Sequence, residues 1–221
     1  MESFDRTWEK VHREKEWGKY PPEELIRFIA RNYYKKDRNK IHILEIGCGT
    51  GANLWYLSRE KFNSYGIDGS QTAVNKAKER LESENLKSQI TVGDVSSIDY
   101  ENEKFDCVVD IQCVVHNKIE GIKKIYKEVY RVLKNEGKFF SMSFSTETLG
   151  CGLGEKIEEN TYTNITKGPL SGVGTVHFFT EDELINYLTE VGFKNIKIDY
   201  IETTHENQTV KIKSWIVQAQ K

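Results

Sequence analysis

The sequence predicts an α/β protein, a doubly wound and mainly parallel sheet with helices on both faces. Three observations carry this expectation. From residue 41 onward the apolar residues switch repeatedly between a strand period and a helical period, and the strand-like runs are short and β-branched. The stretches between those runs are long enough to hold a crossover helix, as parallel neighbours require.

Residues 41–46 read as the first strand, Ala52–Arg59 as a helix, and residues 64–68 as the second strand. A charged helix over residues 71–84 places Ala73, Val74, Ala77 and Leu81 on one face. Gln89–Val92 is a third short strand, and residues 105–115 contain a fourth, apolar enough to be buried on both sides. Ile122, Ile125, Tyr126, Val129 and Leu133 then recur at helical spacing, with Asn117 expected as the cap, Gly137 as the stop, and residues 138–144 as a fifth strand. The ending differs. A helix over residues 180–191 opens on a capping box, Thr180 with Glu183, and stops at Gly192. Two strands, 195–201 and 209–218, follow with only the turn His205-Glu206-Asn207-Gln208 between them, so they must pair antiparallel.

The 221 residues suit one domain, residues 41–221, preceded by an N-terminal helical cap over residues 1–40. That cap carries Phe4, Trp8 and Val11 on one amphipathic stretch, a break at Tyr20-Pro21-Pro22, and a helix through Leu25, Ile26, Phe28 and Ile29. Residues 146–179 are glycine-rich and irregular in pattern, too long for an idle connector, and are expected to form a substrate-binding loop or lid. A formal net charge of -2 leaves no large basic field for a long nucleic acid. Cys48, Cys107, Cys113 and Cys151 lack paired metal-ligand spacing, so buried thiols in a reducing compartment are expected and no metal. Without a signal-type N-terminus or a bilayer-length apolar run, the expectation is a soluble cytoplasmic protein with no membrane partner.

The run Ile43-Leu44-Glu45-Ile46-Gly47-Cys48-Gly49-Thr50-Gly51-Ala52 reads as a strand entering a glycine loop at a helix N-terminus, where missing β-carbons and free amides admit a ligand. On the loop alone NAD is a competitor, because G-x-G-x-x-A suits dinucleotide enzymes and Asp68 lies at the distance of a ribose carboxylate. Glu45 weighs against a pyrophosphate and suits a sulfonium cofactor with an ammonium group. Asp94, after the third strand, puts a second acceptor at the same edge for an adenine amino group, and the antiparallel ending is foreign to a dinucleotide fold. Asp68 and Ser70 could also simply cap the next helix, and Asp94 could be a turn residue.

The set Leu44-Glu45-Ile46-Gly47-Cys48-Gly49-Thr50-Gly51, Gly66-Ile67-Asp68, Gly93-Asp94 and Phe105-Asp106-Cys107-Val108-Val109 resembles the small-molecule branch of the class I, Rossmann-like, S-adenosylmethionine-dependent methyltransferases. So do Glu128-Val129-Tyr130-Arg131-Val132-Leu133-Lys134, Phe179-Thr180-Glu181-Asp182-Glu183-Leu184 and Val191-Gly192-Phe193, which extend the resemblance to the C-terminus. It implies seven strands in the order 3-2-1-4-5-7-6, the seventh antiparallel, and S-adenosyl-L-methionine as cofactor. It further implies that Glu45, Gly47, Cys48, Gly49 and Gly51 surround the methionine part and Asp68 accepts from the ribose hydroxyls. Gly69, Ser70 and Gln71 would border the adenine, Asp94 and Val95 would hold it, and Asp110, Ile111 and Gln112 would lie beside the methyl group.

Methyl transfer from a sulfonium needs chiefly an aligned acceptor, with a base useful for an alcohol. His116, beyond the fourth strand, and His177, at the end of the loop, are the candidate catalytic residues, against packing roles for both. Trp17, Tyr20 and His177 are candidate substrate contacts, while Trp8 is expected to anchor the N-terminal helix. The sequence Asp110-Ile111-Gln112-Cys113 departs from the Asn/Asp-Pro-Pro-aromatic tetrapeptide of enzymes that methylate base amino groups, so a small-molecule acceptor is favoured over nucleic acid, with O- or N-transfer open. An S-adenosylmethionine-binding sensor or non-catalytic subunit is the alternative from another class.

Overall fold

The computed structural model describes residues 3–16 and 18–221. Helices α1 (Thr7–Glu14) and α2 (Glu23–Tyr33) precede an alternating run: β1 (His42–Ile46), α3 (Ala52–Arg59), β2 (Asn63–Asp68), α4 (Gln71–Ser83), β3 (Gln89–Val92), β4 (Phe105–Ile111), α5 (Ile119–Val132) and β5 (Leu133–Phe144). Four short strands come next, β6 (Leu149–Gly152), β7 (Glu155–Glu158), β8 (Thr161–Thr163) and β9 (Val176–His177). The chain closes with α6 (Glu181–Val191), β10 (Lys194–His205) and β11 (Val210–Gln220).

The main sheet runs β3-β2-β1-β4-β5-β11-β10. Strands β1 to β5 pair parallel, whereas β11 is antiparallel to both β5 and β10, which yields the predicted order 3-2-1-4-5-7-6 with the last strand reversed. Successive residues of a strand point to opposite faces, and the core divides accordingly. Val108 and Phe139 pack with Ile122, Tyr126, Leu184 and Leu188 from α5 and α6 on one side. Cys107, Val109 and Phe140 pack with Leu25, Phe28 and Ile29 from α2 on the other. Among the described residues no helix is long and apolar enough to cross a membrane.

Three local expectations need correction. Gly137 does not end α5, because the helix stops at Val132 and β5 begins at once with Leu133. Asn117 is not its cap: the N-cap is Lys118, the Asn117 amide turns back to the Val114 carbonyl, and Glu158 from β7 accepts from Ile119 N instead. Residues 146–179 are only partly irregular, since β7, β8 and β9 form a small antiparallel sheet while residues 164–175 carry no helix or strand. Elsewhere the local signals hold. Thr180 and Glu183 form the reciprocal capping box, Gly192 takes the left-handed conformation that ends α6, and the hairpin turns through left-handed Glu206, Asn207 and Gln208.

Candidate functional site

Parallel strands end together, so the loops after β1, β2, β3 and β4 gather at one sheet edge. Gly47 and Gly49 both adopt positive φ there. A β-carbon on Gly47 would collide with the Cys113 side chain, so this glycine lets the loop seat against the turn after β4. Cys48 N donates to the Ile67 carbonyl at 3.0 Å, tying the loop to β2. Asp68, nearly buried, accepts from Gly49 N and Ser70 N, one on each carboxylate oxygen and both at 2.8 Å. Burial holds its carboxyl above the ordinary value despite these bonds.

A cavity of about 450 Å³ opens over this edge. Of the residues expected at the cofactor, Glu45, Gly47, Cys48, Gly49, Asp68, Gly69, Val95, Ile111 and Gln112 line it. The others are placed differently. Gly51 is the N-cap of α3 and packs against Ala77. Ser70 is buried, with its hydroxyl capping Ala73 N and donating to Glu9, and Gln71 is an exposed helix residue bonded to Asn75. Asp110 is wholly buried beneath the edge, where it accepts from Cys113 N, Val114 N and Ser141 Oγ and shapes the turn. For Ser70 the capping alternative describes the local structure. Asp94 lies just outside the lining, its carboxylate accepting from Ser3 and Ser96 and held down at about 2 by those bonds against a partial burial.

Glu45 is the electrostatic centre of the site. It is 2% exposed, accepts from Asn53 Nδ2 at 2.5 Å through Oε1, and leaves Oε2 without a partner among the described residues. Burial, with Asp68 and Asp110 nearby, pushes its carboxyl up to about 8 against the Asn53 bond. Asn53 Oδ1 is likewise buried and unpartnered. Two orphaned acceptors at a cavity wall require a donor.

The N-terminal segment, expected as a cap, lines the cavity with residues beyond those the sequence singled out. Ser3, Phe4, Asp5, Trp8 and His12 all line it. Phe4 packs on the face of Gly69, where a β-carbon would collide with its ring. Glu9 bridges Ser70 and Thr72, so α1 is bolted to the start of α4. Asp5 accepts from Thr175 N at 3.1 Å, linking the same segment to the loop before β9. The spacing of Trp8 and His12, one helical turn apart, was the available signal; that turn faces the site as well as the core.

His116 lines the cavity at the junction of these parts. Its Nδ1 lies 3.0 Å from the Thr175 carbonyl, which can only accept, so Nδ1 carries the hydrogen and Nε2 keeps its lone pair. Burial pushes the imidazole down to about 4, so it stays neutral, and the Trp8 ring meets it edge-on at 4.6 Å between centroids. His177 is a correction. It is fully buried on β9, bonded through Nδ1 to Thr161 Oγ1 at 2.7 Å and packed edge-on against the Phe179 ring, and is not among the residues lining the cavity. Tyr20 lines the rim and is largely exposed, and Trp17 lies outside the described residues.

Glycine loop, ribose-type carboxylate and strand order together define a class I nucleoside-cofactor fold. A methyltransferase-domain family model matches residues 43–137. A solved SAM-dependent methyltransferase from Methanosarcina mazei is similar at 27% identity, with a TM-score of 0.71 over 87% of this chain and 96% of that one. A demethylmenaquinone methyltransferase of Leptospira interrogans is 28% identical over 64% of this chain and 58% of its own length. A tRNA N(3)-methylcytidine methyltransferase of Schizosaccharomyces pombe is 26% identical over 88% and 64% respectively, so the chain spans about three fifths of either curated relative. The chain thus carries a methyltransferase-domain match over residues 43–137 and is similar over most of its length to a solved SAM-dependent methyltransferase.

The residues present fit that family's cofactor. No lysine or arginine is among the described residues lining the cavity, whereas Asp5, Glu45 and Asp68 are. Such a wall repels the pyrophosphate of a dinucleotide and accommodates a sulfonium and an ammonium. The unpartnered oxygens of Glu45 and Asn53 supply acceptors for the latter.

Proposed function

We propose that the chain transfers the methyl group of S-adenosylmethionine to an oxygen or nitrogen atom of a small-molecule acceptor. One observation carries this reading: the same cavity is lined by Glu45 and Asp68 at the glycine loop, by the apolar Ile111, Phe144, Leu170, Val173 and Ile212, and by neutral His116. Bound there, the cofactor supplies an electrophilic methyl group already activated by its sulfonium charge. The chain's own work is to align an acceptor behind that methyl and to keep water out. Glu45, Gly47, Cys48 and Gly49 hold the amino-acid part, Asp68 takes the ribose hydroxyls, and Gly69 and Val95 border the adenine. Ile111 and Gln112 flank the methyl. His116 Nε2 takes up the acceptor's proton when that acceptor is a hydroxyl. Residues 1–40 serve as the cap of the site and residues 146–179 as its acceptor-side wall. The setting we favour is the cytoplasm, consistent with four free cysteines, and a metabolite rather than nucleic acid as partner.

The test is incubation of the full chain with methyl-labelled S-adenosylmethionine and pooled metabolites. Release of S-adenosylhomocysteine matched by an acceptor heavier by one methylene unit is the expected result. Failure to bind either form of the cofactor refutes the reading, and binding without turnover across broad pools favours a sensor.

A further inference from the structure

We infer that the methyl acceptor is an uncharged, largely apolar molecule bearing neither phosphate nor carboxylate; this rests on the methyltransferase reading and names the substrate class of the same site. Beyond Ile111 the cavity is walled by Phe144 at the end of β5, Pro169, Leu170 and Val173 from the segment before β9, and Ile212 on β11. Phe144, Leu170 and Val173 are each about 5% exposed and belong to the main hydrophobic core, so the wall is built into the packed interior. Thr175 N, bonded to Asp5, fixes the end of that segment.

An anionic acceptor needs a cation or several free amide donors, because burying an unpaired charge is costly. The described lining residues include no lysine or arginine, and the acidic side chains they do include, Asp5, Glu45 and Asp68, offer an anion no counter-charge. A cationic acceptor gains no counter-charge from the apolar wall. Asp5, the cap carboxylate that lines the cavity, is already engaged by Thr7 N at 2.9 Å and by Thr175 N. What the wall does reward is removal of apolar surface from water.

The experiment uses the full chain loaded with S-adenosylhomocysteine and titrated with matched pairs, naphthol against naphthyl phosphate and a graded series of neutral alcohols against their phosphate monoesters, followed by calorimetry. Neutral members are expected to bind tighter than their phosphates by about tenfold or more. Ile212→Lys, at a half-buried wall position, is expected to weaken the neutral member by about tenfold and narrow the gap within each pair. Leu170→Lys should do the same, with S-adenosylhomocysteine affinity reporting that each variant is folded. Phosphorylated members binding as well as or better than neutral ones, or no neutral member binding at all, overturns the inference while leaving the methyltransferase reading in place. Absence of S-adenosylhomocysteine binding to the unaltered chain overturns both.

Discussion

Glu45 should release a proton when the cofactor binds. In the free protein its carboxyl sits at about 8, against an ordinary 4.5, because it is buried with one oxygen unpartnered. At pH 7 such a group is about nine-tenths protonated, and a neighbouring ammonium that returns it to its ordinary value would expel about 0.9 of a proton. The release should fade above pH 9, where the free carboxyl has already ionised. Calorimetric titration with S-adenosylhomocysteine in buffers of different ionisation enthalpy measures it directly. Glu45→Gln should abolish the buffer dependence and weaken binding. The same residue shapes stability. Its folded value is raised, so its contribution is present below pH 4.5 and is lost as pH rises through 8, a swing of roughly 3–5 kcal/mol. Denaturant unfolding of the free protein should therefore show stability falling between pH 6 and 8, and Glu45→Gln should flatten that segment. Equal proton release by variant and parent, with equal affinity, would refute the assignment of Glu45 to a cationic partner.

Asp68→Asn should weaken S-adenosylhomocysteine binding by about 1–3 kcal/mol, read by calorimetry, since the carboxylate organises Gly49 N and Ser70 N as well as facing the cavity. Gly47→Ala should cost about 2 kcal/mol or more of unfolding free energy in a denaturant titration, combining positive φ with a collision at Cys113. With an acceptor in hand, the acid limb of kcat/KM should fall below pH 5 and not near 6.5, because His116 is held at about 4; an acid limb near 6.5 that persists in His116→Gln would assign the base elsewhere. Amide hydrogen exchange at residues 3–12 should change on S-adenosylhomocysteine binding, because Phe4 lies on Gly69 and Ser3 holds Asp94. Unchanged exchange there would separate α1 from the cofactor site.

Local chemistry made much of this protein legible from its residues. The Thr180 and Glu183 box, the Gly192 stop and the alternation of periods depend on neighbours in sequence, and each recurs in the structure. The glycine loop with Glu45 and Asp68 was readable for the same reason, since strand ends of a parallel sheet converge wherever the fold is doubly wound. Helix α5 failed at its start because its capping partner, Glu158, comes from a strand 39 residues away.

The amino-acid sequence by itself determined the fold class and the sheet edge at which the glycine loop and Asp68 meet, and its family resemblance implied the strand order. Only the tertiary structure decided which polar groups line the cavity. Asp110 and His177, equal candidates to Ile111 and His116 by position, turn into the interior, while Ser3, Phe4, Asp5 and His12 arrive at the cavity from the far end of the chain. The physical reason is that a side chain's direction and burial follow from what packs against its element, and the segment that closes this site is joined to it by contacts 59 to 170 residues apart, such as Thr175 with His116 and with Asp5.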